Sequence, residues 1–303
     1  MKSPLRKRLP RELKSEFGKY LVVFIMMAIT IGFVSGFLVA DGSMLRAYDD
    51  SFQKYNIEDG HFILKEKADK DLIKTLQDDE HVKLYSQPYI EEKAMDDNTY
   101  RIYANRSKVN KISVLSGRMA KADDEITIDR LFAENNDIKV GDSIQLNGTS
   151  WKVCGLVAFS DYSALFEDNS DLMFDAQTFT VAAVTQGGFD AMAENLKKLD
   201  DGSTQTRSLH YNYAWKWEKQ SMSEQTRRDK SDDLLSKLVK EAFFSDNEVK
   251  DFLQEADNQA IHFSGNDLGG DKQMVIWFMY IITAILAFVF AVTTLNTIEK
   301  EAT

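Results

Sequence analysis

The side chains of this sequence that could do chemistry are scattered rather than grouped. The four histidines have no second metal ligand at the close spacing of a zinc site: His61, His81, His210 and His262. Gly18-Lys19 lacks the glycine and the hydroxyl residue that complete a phosphate-binding loop. The acidic run 167–171 lacks the glycine and the terminal glutamate of an EF-hand, so a solvated loop is favoured over a calcium site.

The single cysteine, Cys154, excludes an internal disulfide, and its neighbours predict packing in a strand rather than a reactive thiol. No nucleophile and base can be paired from the sequence. We therefore expect no catalytic residue, no metal and no cofactor, and we expect that the chain is not an enzyme by itself.

Aromatic residues are concentrated in the sequence HYNYAWKW at 210–217. Alternation along a strand would place Tyr211, Tyr213, Trp215 and Trp217 on one side. Such a face either packs in the core or forms a surface for a ligand, a lipid or a partner protein. The four residues are therefore a candidate partner or ligand surface, with core packing as the alternative.

Two uncharged segments, 20–40 and 273–298, interrupt a chain of 303 residues that is otherwise rich in charge. Each is long enough to cross the hydrocarbon core of a bilayer as a helix, and no segment between them is. We predict a transmembrane helix over 20–40 and another over 273–298. The net charge of −11 argues against a nucleic-acid partner.

Flanking charge predicts how the helices are oriented. Residues 1–19 are basic, and acidic residues follow the first helix. The positive-inside rule places the N-terminus in the cytoplasm, residues 41–272 outside the plasma membrane, and residues 299–303 back in the cytoplasm. A cleaved signal peptide is the alternative, but the apolar run is too long and Leu38 stands where a small residue is needed.

Gly32 and Gly36 form a G-x-x-x-G sequence in the first membrane helix. Small residues one turn apart allow a second helix to approach closely in lipid. We predict helix packing through these two glycines, although glycine is common in membrane helices and the spacing could be fortuitous.

The middle of the chain repeats a strand–helix–strand pattern. The first unit starts at His61 with Asp69 as the N-cap of its helix, and the second starts near 179 with Asp190 as the N-cap. Two such βαβ units could share one sheet. The second unit is expected to turn at Asp201-Gly202, with Leu199 facing inward.

A β-rich subdomain is predicted as an insertion at about 117–174. It would contain a strand at 125–128, a helix at 130–135, and a hairpin within 138–157 that turns at Asn147-Gly148. A helical segment is expected at about 221–256, with a second helix opened by a capping box at 245–248. A turn at 264–270 would lead into the second membrane helix. The predicted fold class is α+β.

Several short motifs occur in a fixed order between 117 and 155. They are Gly117-Arg118, Glu125-Ile126, Phe132-Ala133, the run 139–142 and the run 153–155. EDGHF at 58–62 follows the first helix, and TTLNTIEKEA at 293–302 ends the second. Together these sequences resemble the FtsX/MacB-like permease family of ABC transporters.

The resemblance implies an extracytoplasmic core of porter-like βαβ units with an inserted β-rich part, moved by a separate ABC ATPase subunit. It also implies a second permease copy or homologue and the lipid bilayer as partners, with the substrate left open. Such a subunit exports a substrate or transmits force across the membrane. Members of the family carry further membrane helices, so we expect this chain to be a fragment.

Two other functions compete with this one. A sensor or receptor also holds an external ligand-binding domain between two membrane helices, and a tethered adaptor uses its domain to bind another extracellular protein. What is encoded after Thr303 would separate them: further membrane spans, a signalling helix or a stop codon.

Overall fold

The part of the chain that the structure describes folds as an α+β protein with one eleven-stranded mixed sheet and a long apolar helix toward each end. The computed structural model describes residues 14, 17–94, 97–146, 148–198 and 207–302. Its contacts separate two units. A membrane unit holds the described residues up to 49 and from 265, and a sheet domain holds residues 50–264.

The helices and strands are numbered in chain order. The helices are α1 (Phe17–Lys54), α2 (Lys70–Glu80), α3 (Arg130–Asn135), α4 (Gln186–Lys198), α5 (Glu224–Phe244) and α6 (Gln259–Ala302). The strands are β1 (Gly60–Leu64), β2 (Val82–Ser86), β3 (Tyr89–Lys93), β4 (Thr99–Ala104), β5 (Ile112–Gly117), β6 (Glu125–Asp129), β7 (Ser143–Leu146), β8 (Thr149–Phe159), β9 (Phe179–Val184), β10 (Arg207–Trp217) and β11 (Val249–Gln254).

Helices α1 and α6 are long and apolar enough to cross a membrane. Within their candidate spans, Leu21–Lys54 and Gln259–Val292, an 18-residue window reaches a mean hydropathy of 2.5 and 2.6, and only 6% of each window is buried. This exposure distinguishes them from the core helices of a soluble protein. The predicted helices are confirmed in position and are longer than predicted. The turn predicted at 264–270 is wrong, since α6 continues through it.

Within the membrane unit, α1 contributes a buried stripe at seven-residue spacing. Val34 and Asp41 are buried, and the ring of Tyr48 lies where a Cβ added at Gly265 would stand. Gly265 therefore allows the two helices to approach, because any larger residue would collide with the tyrosine. Gly32 and Gly36 lie outside this contact and have open space around them among the described residues.

The sheet has the strand order β11-β1-β10-β3-β4-β9-β6-β8-β5. Strand β2 continues along the same edge of β10 as β3, and β7 pairs with β8. The pairs β4–β9 and β6–β8 are parallel, and the other pairs are antiparallel.

The two predicted βαβ units are present and share this sheet. In the first unit, β10 lies between β1 and β2, because both strands pair with it antiparallel on opposite edges. Asp69 caps α2 by accepting a hydrogen bond from the backbone N–H of Leu72 at 2.6 Å. In the second unit, α4 begins at Gln186, so Asp190 lies within the helix and is not its cap. Leu199 and the turn at Asp201-Gly202 lie outside the described residues.

The segment predicted as an inserted β-rich subdomain does not form a sheet of its own. Its strand β6 pairs with β9, and β8 extends the sheet from β6, so the segment continues the main sheet. The strand at 125–128 and the helix at 130–135 are confirmed. The hairpin is confirmed as β7 and β8. Gly148 of its turn has a φ of 74°, which glycine adopts readily, and Asn147 lies outside the described residues.

The helix predicted after residue 248 is wrong. Residues Val249–Gln254 form β11, which pairs with β1 at the edge of the sheet, and Ser245 ends α5 instead of starting a new helix. Pairing with β1 over Gly60–Leu64 decides this structure, and local spacing, which also fits a helix with Val249 and Phe252 inward, does not record it.

Candidate ligand-binding site

The sheet has an apolar face and a polar face. On the apolar face, Phe62 of β1 and Trp215 of β10 pack with Leu76 of α2 and Leu234 of α5 in one buried cluster. Because side chains alternate along a strand, the neighbours of these residues point to the opposite face. There they line a cavity of about 610 Å³, roofed by the loop 160–170 and by the first turn of α6.

The cavity wall consists of polar residues that alternate with core residues on five strands. His61 comes from β1, and His210 and Asn212 come from β10. The remaining strands contribute Tyr89 and Glu91 from β3, Arg101 and Tyr103 from β4, and Asp251 from β11. A volume of this size is typical of small-molecule sites.

Arg101 is fixed in the wall by four hydrogen bonds. Its Nη2 and Nε donate to Oε2 of Glu91 at 2.7 and 3.1 Å, and its Nη1 donates to the hydroxyl of Tyr162 at 3.0 Å. Nη2 also donates to the backbone carbonyl of Glu167 at 2.9 Å. The guanidinium carbon lies 4.9 Å from the ring centroid of Tyr89, within cation–π distance. The charge of Arg101 is therefore neutralised within the protein by Glu91.

A second arginine, Arg106, lies outside the lining of the cavity and fixes Asp161, which is part of the lining. Arg106 forms a bidentate ion pair with Asp161 at 2.7 and 2.8 Å, and both side chains are buried. The Arg106 guanidinium carbon lies 4.5 Å from the ring centroid of Tyr103. Burial opposes the charged guanidinium, but the nearby Asp161 carboxylate outweighs it and raises the pKa of Arg106. Burial raises the pKa of Tyr103 well above its ordinary value.

A third network connects Glu58 with His61. Nδ1 of His61 lies 2.5 Å from the Glu58 carboxylate, and the side-chain N–H of Asn110 donates to the same carboxylate at 2.6 Å. Asn110 also donates to Gln87 at 3.2 Å. Burial alone would raise the pKa of Glu58 and lower that of His61. Their mutual attraction reverses both effects, so the pKa of Glu58 is lowered and that of His61 is raised.

Several acceptors of the site remain without a matching charge. Oδ1 of Asn212 has no hydrogen-bond partner among the described residues, although the side chain is only 5% exposed. Glu167, Asp168 and Asp251 line the cavity without an ion pair to a described cation. Burial, and then repulsion by Glu91, raises the pKa of Glu167. The site can accept hydrogen bonds from a ligand that carries donors.

The four aromatic residues singled out from the sequence lie on the opposite face from this cavity. Tyr213, Trp215 and Trp217 are buried in the cluster with α2 and α5, and Tyr211 packs against it partly buried. Their alternation was predicted well, and the packing alternative describes their position. Because α2 and α5 cover Tyr213, Trp215 and Trp217, these residues do not form an exposed surface for a partner.

The motif residues behind the family resemblance form a backbone junction. A Cβ on Gly117 would lie 2.4 Å from the carbonyl oxygen of Cys154, and one on Gly155 would lie 2.3 Å from that of Arg118. Arg118 pairs with Glu125, whose carboxylate also accepts the backbone N–H of Lys121 at 3.0 Å. These contacts lower the pKa of Glu125 to about 2. The motif therefore fixes how β5, β6 and β8 meet.

The other candidate residues lie in surroundings that fit a role in the fold. Cys154 is buried in β8, and burial raises the pKa of its thiol, which disfavours a reactive thiolate. No group of three or more His, Cys, Asp or Glu side chains in the described part of the chain is placed to hold a metal ion. The run 167–171 is a loop at the rim of the cavity.

The sequence prediction missed the cavity. The signal was the polar residue next to each aromatic residue in these strands: His61 beside Phe62, His210 before Tyr211, and Asn212 between Tyr211 and Tyr213. Only the pairing of β1, β10 and β11 brings these polar residues to one face. Comparison of the chain with protein-family models and with curated proteins finds no match.

Proposed function

We propose that this chain is the N-terminal part of an FtsX/MacB-like permease subunit of an ABC transporter. The observation that carries the proposal is the arrangement along the chain: a membrane-length helix, an α+β domain built on one mixed sheet, and a second membrane-length helix. The family resemblance of the motifs between 117 and 155 supports the same assignment, and the porter-like name applies to the two interleaved βαβ units.

In this proposal the domain is extracytoplasmic and is moved by a separate ATPase on the cytoplasmic side of the plasma membrane. Helix α1 extends to Lys54 and α6 begins at Gln259, so each helix includes residues on both sides of its apolar segment. ATP-driven tilting of these helices would change the conformation of the domain. The domain would then expel a substrate or transmit force without a reactive residue of its own.

Helix α1 has an exposed small-residue surface that suits a further membrane helix of the transporter or of a second permease copy. Gly32 and Gly36, exposed on α1, are a suitable contact for such a helix.

Purification from the membranes of the native host tests the proposal. A tagged full-length protein, solubilised in mild detergent, should retain an ATPase subunit in stoichiometric amount and show ATP hydrolysis. A matched variant pair tests the packing role: Gly32→Leu with Gly36→Leu should reduce recovery of a permease partner, whereas Gly18→Leu should not. Recovery of no nucleotide-binding protein would contradict the permease assignment.

Cysteine labelling tests the orientation independently. In a Cys154→Ala background, Leu172→Cys introduces a thiol at a side chain that is 99% exposed on the sheet domain. A membrane-impermeant maleimide should label it in intact cells, and it should label Ser3→Cys only after permeabilisation. The opposite pattern would place the sheet domain in the cytoplasm and reject the orientation.

A receptor is the second candidate function, because the cavity is a built site with an unpartnered buried acceptor. A receptor would bind its ligand there and signal through α6 without an ATPase. Ligand binding together with failure to recover an ATPase would favour the receptor over the permease.

A further inference from the structure

The cavity on the polar face of the sheet has an excess of negative charge. Glu91 and Asp161 are each paired with an arginine of the protein, and Glu58 is paired with His61. Glu167, Asp168 and Asp251 line the same cavity without such a partner, and Lys250 at the rim pairs with Glu248 outside it. The uncompensated carboxylates create a negative potential that attracts a cation and repels an anion.

Asn212 adds a second, independent indication of a ligand-binding site. Its Oδ1 is buried and unpartnered, and buried acceptors in proteins are almost always satisfied by the protein, by water or by a ligand. Nε1 of Trp215 is also unpartnered, but it lies in the closed apolar core beneath α2 and α5. Asn212 instead is part of the cavity wall, so rotation of its side chain would present the amide oxygen to a ligand N–H.

The aromatic residues of the wall suit a cation as well. Tyr89 and His210 are stacked at 4.5 Å with an interplanar angle of 12°, and Tyr103, Tyr162 and Phe166 add further rings to the lining. Arg101 already lies against the ring of Tyr89, which shows that this wall accommodates a positive charge. Hydrogen bonds to Glu91, Tyr162 and a carbonyl use Arg101 itself, so it is not available to bind a ligand carboxylate.

We infer that this cavity binds an alkylammonium group. The ammonium would donate to Asn212 and be neutralised by Glu167 and Asp251, while its carbon chain would contact the aromatic wall. A cavity of about 610 Å³ is larger than an ammonium group alone, so the ligand carries it on a body the size of a short peptide or a polyamine. The inference holds for either a transporter or a receptor and does not depend on an ATPase partner.

Calorimetry on the full-length protein in nanodiscs tests the inference with three matched peptides. Acetyl-Lys-Tyr-amide carries the ammonium, acetyl-norleucyl-Tyr-amide has the same straight chain without the ammonium, and acetyl-Glu-Tyr-amide reverses the charge. The lysine peptide should bind at least tenfold more tightly than either of the others, and more weakly as salt increases. Spermidine, measured in parallel, distinguishes a polyamine site from a peptide site by which of the two binds more tightly.

Variants locate the binding. Asn212→Leu should weaken binding of the lysine peptide about tenfold, because it removes the acceptor and keeps a side chain branched at Cγ. The double variant Glu167→Gln with Asp251→Asn should weaken it by a similar factor and remove most of the salt dependence. Asp233→Asn is the matched control, since Asp233 is an exposed carboxylate on α5, on the other face of the sheet, and binding should be unchanged.

Equal binding of the lysine and norleucine peptides would overturn the inference, as would preference for the glutamate peptide or no binding of the lysine peptide and spermidine at millimolar concentration. Circular dichroism of each variant shows that loss of binding is not loss of fold. Recovery of an ATPase with no ammonium binding would leave the permease standing and reject this site. Ammonium binding without recovery of an ATPase would support this site and reject the permease assignment.

Discussion

The two faces of strand β10 differ in what satisfies their side chains. Toward α2 and α5, Trp215 is fully buried and is surrounded by apolar groups, including Phe252 stacked at 4.8 Å. Toward the cavity, two residues from the same strand are His210 and Asn212, in a wall of charged networks. The apolar face contributes stability through burial of apolar surface, whereas the polar face does so through paired charges and also holds an acceptor, Oδ1 of Asn212, that has no partner among the described residues. Alternation along the strand therefore gives its two faces different chemistry.

Removal of Trp215 should produce the largest loss. Trp215→Ala leaves a cavity between β1, β10 and β11, and truncation of a buried tryptophan should lower the free energy of unfolding by about 4 kcal/mol. Asn212→Leu, three positions earlier and on the opposite face, should not lower it, because it removes an unsatisfied acceptor. Denaturant unfolding of both full-length variants, followed by circular dichroism, measures the difference. Equal losses would show that the two faces do not differ in this way.

Loss of the Arg106–Asp161 ion pair should have the next largest effect. Arg106→Met leaves the Asp161 carboxylate buried without its cation, which should cost about 3 kcal/mol of unfolding free energy. Adding Asp161→Asn to Arg106→Met should recover part of the loss, since the uncompensated charge is gone. The same denaturant measurement tests both variants. If the double variant is no more stable than Arg106→Met, the buried charge is not the cause.

The apolar face could largely be predicted from the sequence, because periodicity records burial. The stripe of α5, the alternation in β10 and the cap at Asp69 each follow from local spacing. Prediction failed at β11, where a local capping pattern favoured a helix but pairing with β1 decided the structure. Strand pairing between distant residues is not encoded in a local window.

The polar face could not be predicted for the same reason. Glu58 reaches His61 locally, but Asn110 and Asp161 come from distant parts of the chain, and their distance to the cavity depends on sheet order. Scattered histidines and acids thus gave no grouping in the sequence. The family motifs were visible because they are contiguous, and in the structure they form a backbone junction at Gly117 and Gly155 rather than the cavity wall.

Titration of the Glu58–His61 pair sharpens the comparison, because it shows whether charge stabilises the polar face. The pKa of His61 is raised above 6.5, so its contribution is fully present below pH 6.5 and is lost as the pH rises through the folded-state value. The carboxylates of Glu58, Asp251 and Asp161 all contribute to this rise. Unfolding free energy should therefore decrease above pH 6.5.

Glu58→Gln tests this assignment. The glutamine can still accept the Asn110 hydrogen bond but removes the charge, so the variant should be about 2 kcal/mol less stable than the native protein at pH 6. The difference should shrink as the pH rises past the pKa of His61. Thermal unfolding between pH 5.5 and 9 measures it, and a difference that does not vary with pH would assign the contribution to packing instead.

The smallest expected effect concerns a buried carboxylate outside the cavity. Asp129 ends β6 and caps α3 by accepting the backbone N–H of Leu131 at 2.8 Å, but no described cation forms an ion pair with it. Burial raises its pKa to about 6, so its favourable contribution is present below its ordinary value of 3.8 and is lost as the pH rises through 6.

Asp129→Asn retains the cap without the charge. The variant should therefore gain about 1 kcal/mol of unfolding free energy at pH 7.5, since part of the benefit of neutralisation is offset by weaker interaction with the helix N-terminus. At pH 4 the gain should vanish, because the native carboxyl group is then protonated. A loss of stability at pH 7.5 would mean that the carboxylate is stabilised where it lies, and that burial without a cation is tolerated on this side of the sheet.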